Sequence, residues 1–251
     1  MVSEEFSLSG KNALVAAYGR FWAKPVAAAL AEAGADVAVA AKSPKKLEEA
    51  VGEVKRLGRK AVAIPTDVTQ SSQVSKMVEQ AVAELGGIDI LVNAFDLEFA
   101  KPLMEVTEDE WHRVVDINLT SVFRCCQAVG KHMLPRKKGR IINVISCLSE
   151  RGVANYTAYS AAMGGVLQLT KTLALEWALE GITVNGVGTG WFAEADTTGV
   201  EGESLLLRFL PMKRYGHPRE IGSLVVYLAS DTTDFVTGMF MTVDGAAMAH
   251  P

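Results

Sequence analysis

The chain has 251 residues, of which 49% are hydrophobic and 22% are charged, and its formal net charge is -4. This length and composition are typical of one soluble α/β domain, and they exclude a basic nucleic-acid-binding face and the run of ~18 apolar residues that crosses a membrane. The three cysteines, two of them adjacent, favour a reducing cytoplasm over a disulfide framework, and the four histidines lack metal-ligand spacing. We therefore expect no metal site and no nucleic-acid or membrane partner.

Short apolar runs alternate with longer amphipathic segments along the chain. The runs show little polar alternation, which is typical of parallel strands buried on both faces. The predicted strands are Ala13–Ala17, Asp36–Ala41, Ala61–Pro65, Ile88–Asn93, Arg140–Ile145, Thr183–Val187 and Met239–Val243. The predicted helices are Lys24–Ala33, Lys45–Leu57, Ser72–Leu85, Glu108–Leu134, Thr157–Leu179 and Pro218–Ala229. Repeated strand–helix–strand units predict a single doubly wound Rossmann-type domain over residues 1–251, with a seven-stranded parallel sheet and helices on both faces.

One long segment, Gly188–Met212, lacks regular periodicity except for a short helical piece around Ser204–Leu210. A loop of this length in a compact domain is typically a lid or a binding loop. We therefore expect this segment to lie beside a ligand site.

A set of ordered motifs resembles the short-chain dehydrogenase/reductase family from about Leu8 to Ala247. The motifs are Ala33-Gly34-Ala35-Asp36-Val37, Asp67-Val68-Thr69, Asp89-Ile90-Leu91-Val92-Asn93, Asp116-Ile117-Asn118-Leu119, Gly139-Arg140-Ile141-Ile142-Asn143, Ser146, Tyr159-Ser160-Ala161-Ala162, Gly181-Ile182-Thr183-Val184-Asn185, Thr237-Gly238 and Val243-Asp244-Gly245. The resemblance implies a Rossmann-type sheet that binds NAD(P) at the carboxyl ends of its strands. It also implies hydride-transfer chemistry assisted by asparagine, serine, tyrosine and lysine.

The first strand-to-helix turn departs from the family pattern Thr-Gly-x-x-x-Gly-x-Gly. Ala17, Phe21 and Ala23 stand at the three glycine positions, where glycine lets the backbone approach the diphosphate of the cofactor. The Phe21 ring is expected to project where the diphosphate lies, so we expect no cofactor to be bound by this chain. A rebuilt turn that uses Gly19 and the charge of Arg20 is the alternative.

Other positions around the expected cofactor also differ from the family. Lys42 ends the second strand, where an acid would bind the ribose of NAD. Its ammonium group either binds the 2′-phosphate of NADP or is simply solvated on a surface turn. Asp96 replaces a glycine and places a carboxylate beside an anionic cofactor, unless it caps the following segment. Thr189 replaces the proline of a Pro-Gly turn, and Trp191 and Phe192 follow it, either as packing or as the wall of a new pocket.

The catalytic set is incomplete. Ser146 lies thirteen residues before Tyr159, as in the family, and Asn118 matches the family's helical asparagine. Met163 stands four residues after the tyrosine, where the family has a lysine that lowers the tyrosine pKa. An unassisted phenol titrates near 10, so we expect Asn118, Ser146 and Tyr159 to be vestigial and Met163 to fill the core.

These departures lead to a ranked set of hypotheses. The first is a non-catalytic subunit, a pseudoenzyme, in a heterotetramer with an active short-chain dehydrogenase paralogue that holds NAD, assembled through Glu108–Leu134 and Thr157–Leu179. The assembly would oxidise a hydroxyacyl-CoA such as 2-(hydroxy(phenyl)methyl)succinyl-CoA, of the benzylsuccinate pathway of anaerobic toluene degradation.

The second hypothesis is a cofactor-independent lyase resembling the halohydrin dehalogenases, which use a serine and a tyrosine equivalent to Ser146 and Tyr159. The third is an ordinary NAD(P) reductase with an unusual turn.

Overall fold

A computed structural model describes residues 4–193 and 210–249 of the chain. In these residues a seven-stranded sheet has the order β3-β2-β1-β4-β5-β6-β7, and each neighbouring pair runs parallel. The strands are β1 (Asn12–Gly19), β2 (Asp36–Ala41), β3 (Ala61–Pro65), β4 (Ile90–Asp96), β5 (Gly139–Ser146), β6 (Ile182–Thr189) and β7 (Phe240–Val243). This order confirms the doubly wound fold, in which ligands bind where the strand order reverses, here between β1 and β4.

Helices cover both faces of the sheet. They are α1 (Ala23–Glu32), α2 (Pro44–Arg56), α3 (Ser71–Leu85), α4 (Glu108–Val115), α5 (Ser121–Met133), α6 (Thr157–Trp177) and α7 (Gly222–Ala229). A capping box fixes the start of α4, since the Thr107 side chain accepts from the Glu110 backbone and the Glu110 side chain accepts from the Thr107 backbone. No helix of the described residues is both long enough and apolar enough to span a bilayer.

The predicted helix Glu108–Leu134 is interrupted. A π-helical turn over Asp116–Thr120 separates α4 from α5, and it contains the buried Asn118. A π turn inserts an extra residue and redirects the side chains around it, and such turns are frequent at functional sites. The Ser204–Leu210 helix predicted from the sequence falls almost entirely outside the described residues.

The core consists of two apolar layers on opposite faces of the sheet. One layer lies under α3 to α6, and the other lies under α1, α2 and α7. Both layers draw alternate residues from the same strands, as Leu14 and Val15 of β1 show. This double burial explains why the strands read as continuous apolar runs.

Four strands are longer than the sequence predicts and run further toward the expected ligand edge, namely β1, β4, β5 and β6. β1 continues to Gly19 and β4 continues to Asp96, and these two residues are direct neighbours in the sheet. The hydrophobic pattern stops earlier because Tyr18, Gly19 and Asp96 interrupt it. The consequence is that a carboxylate lies at the carboxyl edge of the central strands.

Candidate active site

Gly19 shapes the turn between β1 and α1. Its φ of +85° is disfavoured for other residues, and a Cβ at this position would lie 2.0 Å from the Asp96 carbonyl oxygen. The Arg20 backbone N–H donates to that same carbonyl over 3.1 Å. The Lys46 ammonium group donates to the carbonyls of Gly19 and Arg20, the latter over 3.1 Å. Gly19 therefore supplies the tight turn that the sequence alternative assigned to it.

The Phe21 ring does not lie where the sequence analysis expected it. It forms an edge contact with the Trp22 ring at a centroid distance of 4.8 Å, and the Arg20 guanidinium group lies 4.8 Å above it. It lines an open cavity of about 470 Å³ between α1, α2 and Pro218. Phe21 is not among the residues that line the neighbouring cavity at the ends of β1 and β2, so its ring does not narrow that cavity.

A second cavity of about 320 Å³ lies at the carboxyl ends of β1 and β2, with Ala17, Gly19, Lys42 and Lys46 among its lining residues. Lys42 donates to the Asp67 carboxylate over 2.7 Å, and this contact raises the pKa of Lys42. Burial alone would raise the pKa of Asp67, but hydrogen bonds from Lys42 and Thr69 lower it. Two ammonium groups at one cavity make this end of the sheet suitable for a phosphate group.

Asp96 is the centre of a buried hydrogen-bond cluster. The Tyr159 hydroxyl donates to Asp96 Oδ1 over 2.6 Å, and Trp22 Nε1 donates to Oδ2 over 2.8 Å. Arg20 Nε lies 3.8 Å from Oδ2. Asp96, Tyr159 and Trp22 are 4%, 3% and 1% exposed, so the carboxylate depends on these donors rather than on water. Asp96 therefore binds across the site instead of capping the next segment.

Burial controls the charge of this cluster. Burial raises the pKa of Asp96, while the Arg20 charge and the bonds from Tyr159 and Trp22 act against that rise. Burial also raises the pKa of Tyr159 well above its usual value, and the Asp96 charge and hydrogen bond add to the rise. The Tyr159 phenol therefore keeps its proton at neutral pH, in agreement with the argument from the missing lysine.

The other predicted catalytic residues lie close to this cluster. Ser146 ends β5, its hydroxyl acts to lower the pKa of Tyr159, and it accepts a hydrogen bond from the Leu148 backbone N–H over 3.2 Å. Asn118 accepts from the Leu97 N–H over 2.9 Å and donates to the Leu97 carbonyl over 3.0 Å. Asn118 thus fixes the backbone just after Asp96.

Met163 lies one helical turn after Tyr159 and is 1% exposed. It belongs to the apolar layer under α3 to α6, as the sequence predicts. The side of Tyr159 that carries a lysine in the family is therefore filled by a thioether, which neither donates a proton nor holds a charge.

The segment after β6 reaches back to the first turn. Arg20 Nη2 donates to the Phe192 carbonyl over 2.8 Å, and the Trp22 ring contacts the Phe192 ring at 5.1 Å. Phe192 is 5% exposed and bridges to Gly216, on the far side of the residues that are not described. Of the predicted loop Gly188–Met212, residues 194–209 lie outside the described part of the chain.

Trp22 is the residue that sequence reasoning missed. It occupies an unspecified position of the family's glycine pattern, between Phe21 and Ala23, yet its indole N–H is a buried donor to Asp96. The available signal was the replacement of a small residue by Asp96, because a buried carboxylate requires donors from nearby elements.

Comparison with known proteins gives matches over nearly the whole chain. A family model described as enoyl-(acyl carrier protein) reductase matches residues 21–246. The 5-keto-D-gluconate 5-reductase of Escherichia coli K12 is 35% identical over 251 residues, covering 98% of this chain and 99% of the relative. The 3-oxoacyl-[acyl-carrier-protein] reductase of Staphylococcus epidermidis is 38% identical over 239 residues, covering 94% and 98%. The gluconate 5-dehydrogenase of Burkholderia cenocepacia, solved with NADP and tartrate, is 33% identical, covers 99% of each chain and superposes with a TM-score of 0.90.

These matches contradict two expectations from the sequence. The chain was expected to be a non-catalytic subunit of a benzylsuccinate-pathway assembly, and it was expected to bind no cofactor. Its relatives over nearly its full length are instead reductases and dehydrogenases, one of them solved with NADP. The physical reason lies in the turn: Gly19 provides the required backbone conformation, and Phe21 lines a different cavity. Departures from the family pattern around the cofactor position therefore do not by themselves exclude a bound cofactor.

Proposed function

The chain belongs to the short-chain dehydrogenase/reductase family, and on that premise we propose that it is an NADP(H)-dependent oxidoreductase that interconverts a secondary alcohol and a ketone. The observation that carries the proposal is the hydrogen bond from Tyr159 to Asp96 at the carboxyl edge of the sheet, beside a cavity that holds Lys42. The proposal is supported by the position of Tyr159 and Lys42 on one edge of the sheet, where a proton-carrying group and a phosphate-binding group are both needed.

The residues of the 320 Å³ cavity fit the phosphate-bearing half of NADP. Lys42 and Lys46 line it, and Lys42 occupies the position where an acid would bind the ribose hydroxyls of NAD. Lys42 is 60% exposed at its side chain and is paired with Asp67, so a 2′-phosphate would exchange one anionic partner for another. The cation at this position favours NADP over NAD.

The other half of the groove is crossed by side chains. Arg20 spans from the first turn to the Phe192 carbonyl, and Trp22 contacts both Phe192 and Asp96. Binding of the complete cofactor therefore requires Arg20 to break its hydrogen bond to the Phe192 carbonyl. When bound, the nicotinamide supplies or accepts the hydride, and the chain's own residues handle the proton.

Ser146 and Tyr159 perform the proton chemistry. The Ser146 hydroxyl, at the end of β5, positions the oxygen of the substrate beside the phenol, and Tyr159 moves a proton to or from that oxygen. Asn118 holds the backbone of Leu97, which keeps Asp96 in place next to it. Ser146 thus orients the substrate, Tyr159 transfers the proton, and Asn118 supports the backbone beside Asp96.

A sugar acid is the first substrate class to test. Gluconate enzymes occur both among the relatives by sequence and among the similar structures. The 3-oxoacyl thioesters are the second class, because the Staphylococcus relative is a 3-oxoacyl reductase.

The test is turnover by the purified chain. We expect NADPH-dependent reduction of 5-keto-D-gluconate or of a 3-oxoacyl thioester, or NADP-dependent oxidation of the corresponding alcohol. Tyr159→Phe should abolish turnover. Tyr156→Phe is the matched control, since the Tyr156 hydroxyl bonds the exposed Glu98 over 3.0 Å and lies outside the proposed chemistry. Equal rates for Tyr159→Phe and the unmodified chain would refute the assignment.

Assembly with a second short-chain dehydrogenase subunit in a heterotetramer is also a proposal. In its support, Phe123 on α5, Leu175 on α6 and Leu179 just after α6 are 47%, 82% and 92% exposed. Exposed apolar side chains on the predicted assembly helices suit a subunit contact. Native mass spectrometry of the protein isolated from its own host tests this, and a mass that contains only copies of this chain would contradict it.

A further inference from the structure

We infer that Asp96 is the final acceptor of the proton that Tyr159 exchanges with the substrate, and that it acts through Tyr159 as a positioning residue. The inference rests on the proposed function. It assigns to a carboxylate the support that a lysine gives the tyrosine elsewhere in the family.

The geometry gives Tyr159 one strong partner on the protein side. Asp96 Oδ1 lies 2.6 Å from the phenol oxygen, which is the length of a strong hydrogen bond to a carboxylate. Trp22 holds the other carboxylate oxygen at 2.8 Å, so Asp96 is fixed at both ends. On its own helix Tyr159 is followed by Met163, which cannot take a proton.

The proton balance of alcohol oxidation follows from this arrangement. The substrate hydroxyl gives its proton to the Tyr159 oxygen as the Tyr159 proton moves to Asp96 Oδ1. The hydride leaves the carbinol carbon for the oxidised nicotinamide, and a ketone remains. The reaction ends with a neutral phenol and a neutral carboxylic acid, and Tyr159 never carries a full charge next to Asp96. Ketone reduction is the same sequence in reverse.

The charged and titratable groups around the pair determine its pH dependence. Arg20 from the first turn favours ionised Asp96, while Glu98 from the segment after β4 opposes it. Tyr156, whose ring lies 6.1 Å from that of Tyr159, bonds Glu98. The Asp96–Tyr159 pair holds one proton, on the phenol, when Asp96 is ionised, and a second proton binds to Asp96. Uptake of this second proton therefore follows the pKa of Asp96, which burial raises above its usual value, and not the pKa of a phenol. Oxidation should therefore need a pH above that pKa, and reduction should slow as the pH rises through it.

Asp96→Asn tests the inference because it keeps the size and one acceptor oxygen but cannot accept a proton. We expect the variant to fold, to lose at least about tenfold in the rate of alcohol oxidation, and to lose the acidic limb of the pH–rate profile. Glu98→Gln is the matched control. It removes a carboxylate that faces the pair without touching the Asp96–Tyr159 bond, and it should only shift that limb to lower pH.

A spectroscopic measurement on the cofactor-free protein separates this inference from the proposed function. The NMR signal of the ¹³Cζ atom of Tyr159, assigned with Tyr159→Phe, should shift when Asp96 protonates, and Asp96→Asn should abolish that shift. If the signal shifts but no substrate turns over, the proposed function fails and the inference fails with it. If turnover occurs with the same pH profile in Asp96→Asn, the inference alone is overturned.

Discussion

The bond from Trp22 to Asp96 leads to a prediction about stability. Trp22→Phe keeps an aromatic ring against Phe192 and removes the only donor atom of the indole. A hydrogen bond to a charged group contributes about 1.5–3 kcal/mol, and the loss leaves a buried carboxylate oxygen without that partner. We therefore expect the free energy of unfolding at neutral pH to fall by about 2 kcal/mol or more.

The pH dependence of this loss identifies its cause. Burial raises the pKa of Asp96 in the folded state above its value in the unfolded chain, so the buried charge costs stability at high pH and the cost is relieved as the pH falls through the folded pKa. Trp22 stabilises the ionised form, and Trp22→Phe raises that pKa further. The loss in the free energy of unfolding that Trp22→Phe causes should be largest at neutral pH and should become smaller in acid.

Urea unfolding at several pH values measures this difference. Trp111→Phe is the control, because Trp111 is only partly buried on α4 and shrinking its ring should cost the same at every pH. A destabilisation by Trp22→Phe that does not change between neutral and acidic pH would refute the reasoning, because it would show ring packing alone.

Two other substitutions test the turn and the missing lysine. Gly19→Ala should destabilise the protein by more than about 2 kcal/mol, because it combines a positive φ with a Cβ 2.0 Å from the Asp96 carbonyl. Gly10→Ala, with a similar φ and open space, should cost only about 1 kcal/mol in the same urea assay. Met163→Lys should lower the pKa of Tyr159, so that tyrosinate absorbance develops at lower pH than in the unmodified chain, and it should destabilise the core. An unchanged titration would contradict the assigned role of this position.

The sequence predicts the fold well because the strands are buried on both faces. The continuous apolar run Asp36–Ala41 is buried on both faces, and the structure has this strand at the predicted bounds. Ala61–Pro65 also keeps its predicted bounds, although it is an edge strand in which buried and exposed residues alternate. The long helix was predicted without its π turn because the turn over Asp116–Thr120 keeps the chain helical and adds only one residue to the helical pattern.

The candidate site is predicted only in part. Ser146 and Tyr159 follow from their spacing, but the partner of Tyr159 does not. The Tyr159–Asp96 bond joins residues 63 positions apart, and it depends on the extension of β4 to Asp96. The first turn directs Phe21 away from the Lys42 cavity. A comparison with motif positions gives residue identities at this turn but not the directions of their side chains.

A calorimetric titration of the purified chain with NADPH tests the central claim most directly. We predict saturable binding, weaker binding of NADH, and a loss of about tenfold or more in NADPH affinity for Lys42→Ala. Lys45→Ala should bind NADPH unchanged, since Lys45 is 86% exposed and lies 4.0 Å from Glu49. No saturable heat with NADPH, or equal affinity in Lys42→Ala and the unmodified chain, would contradict the account.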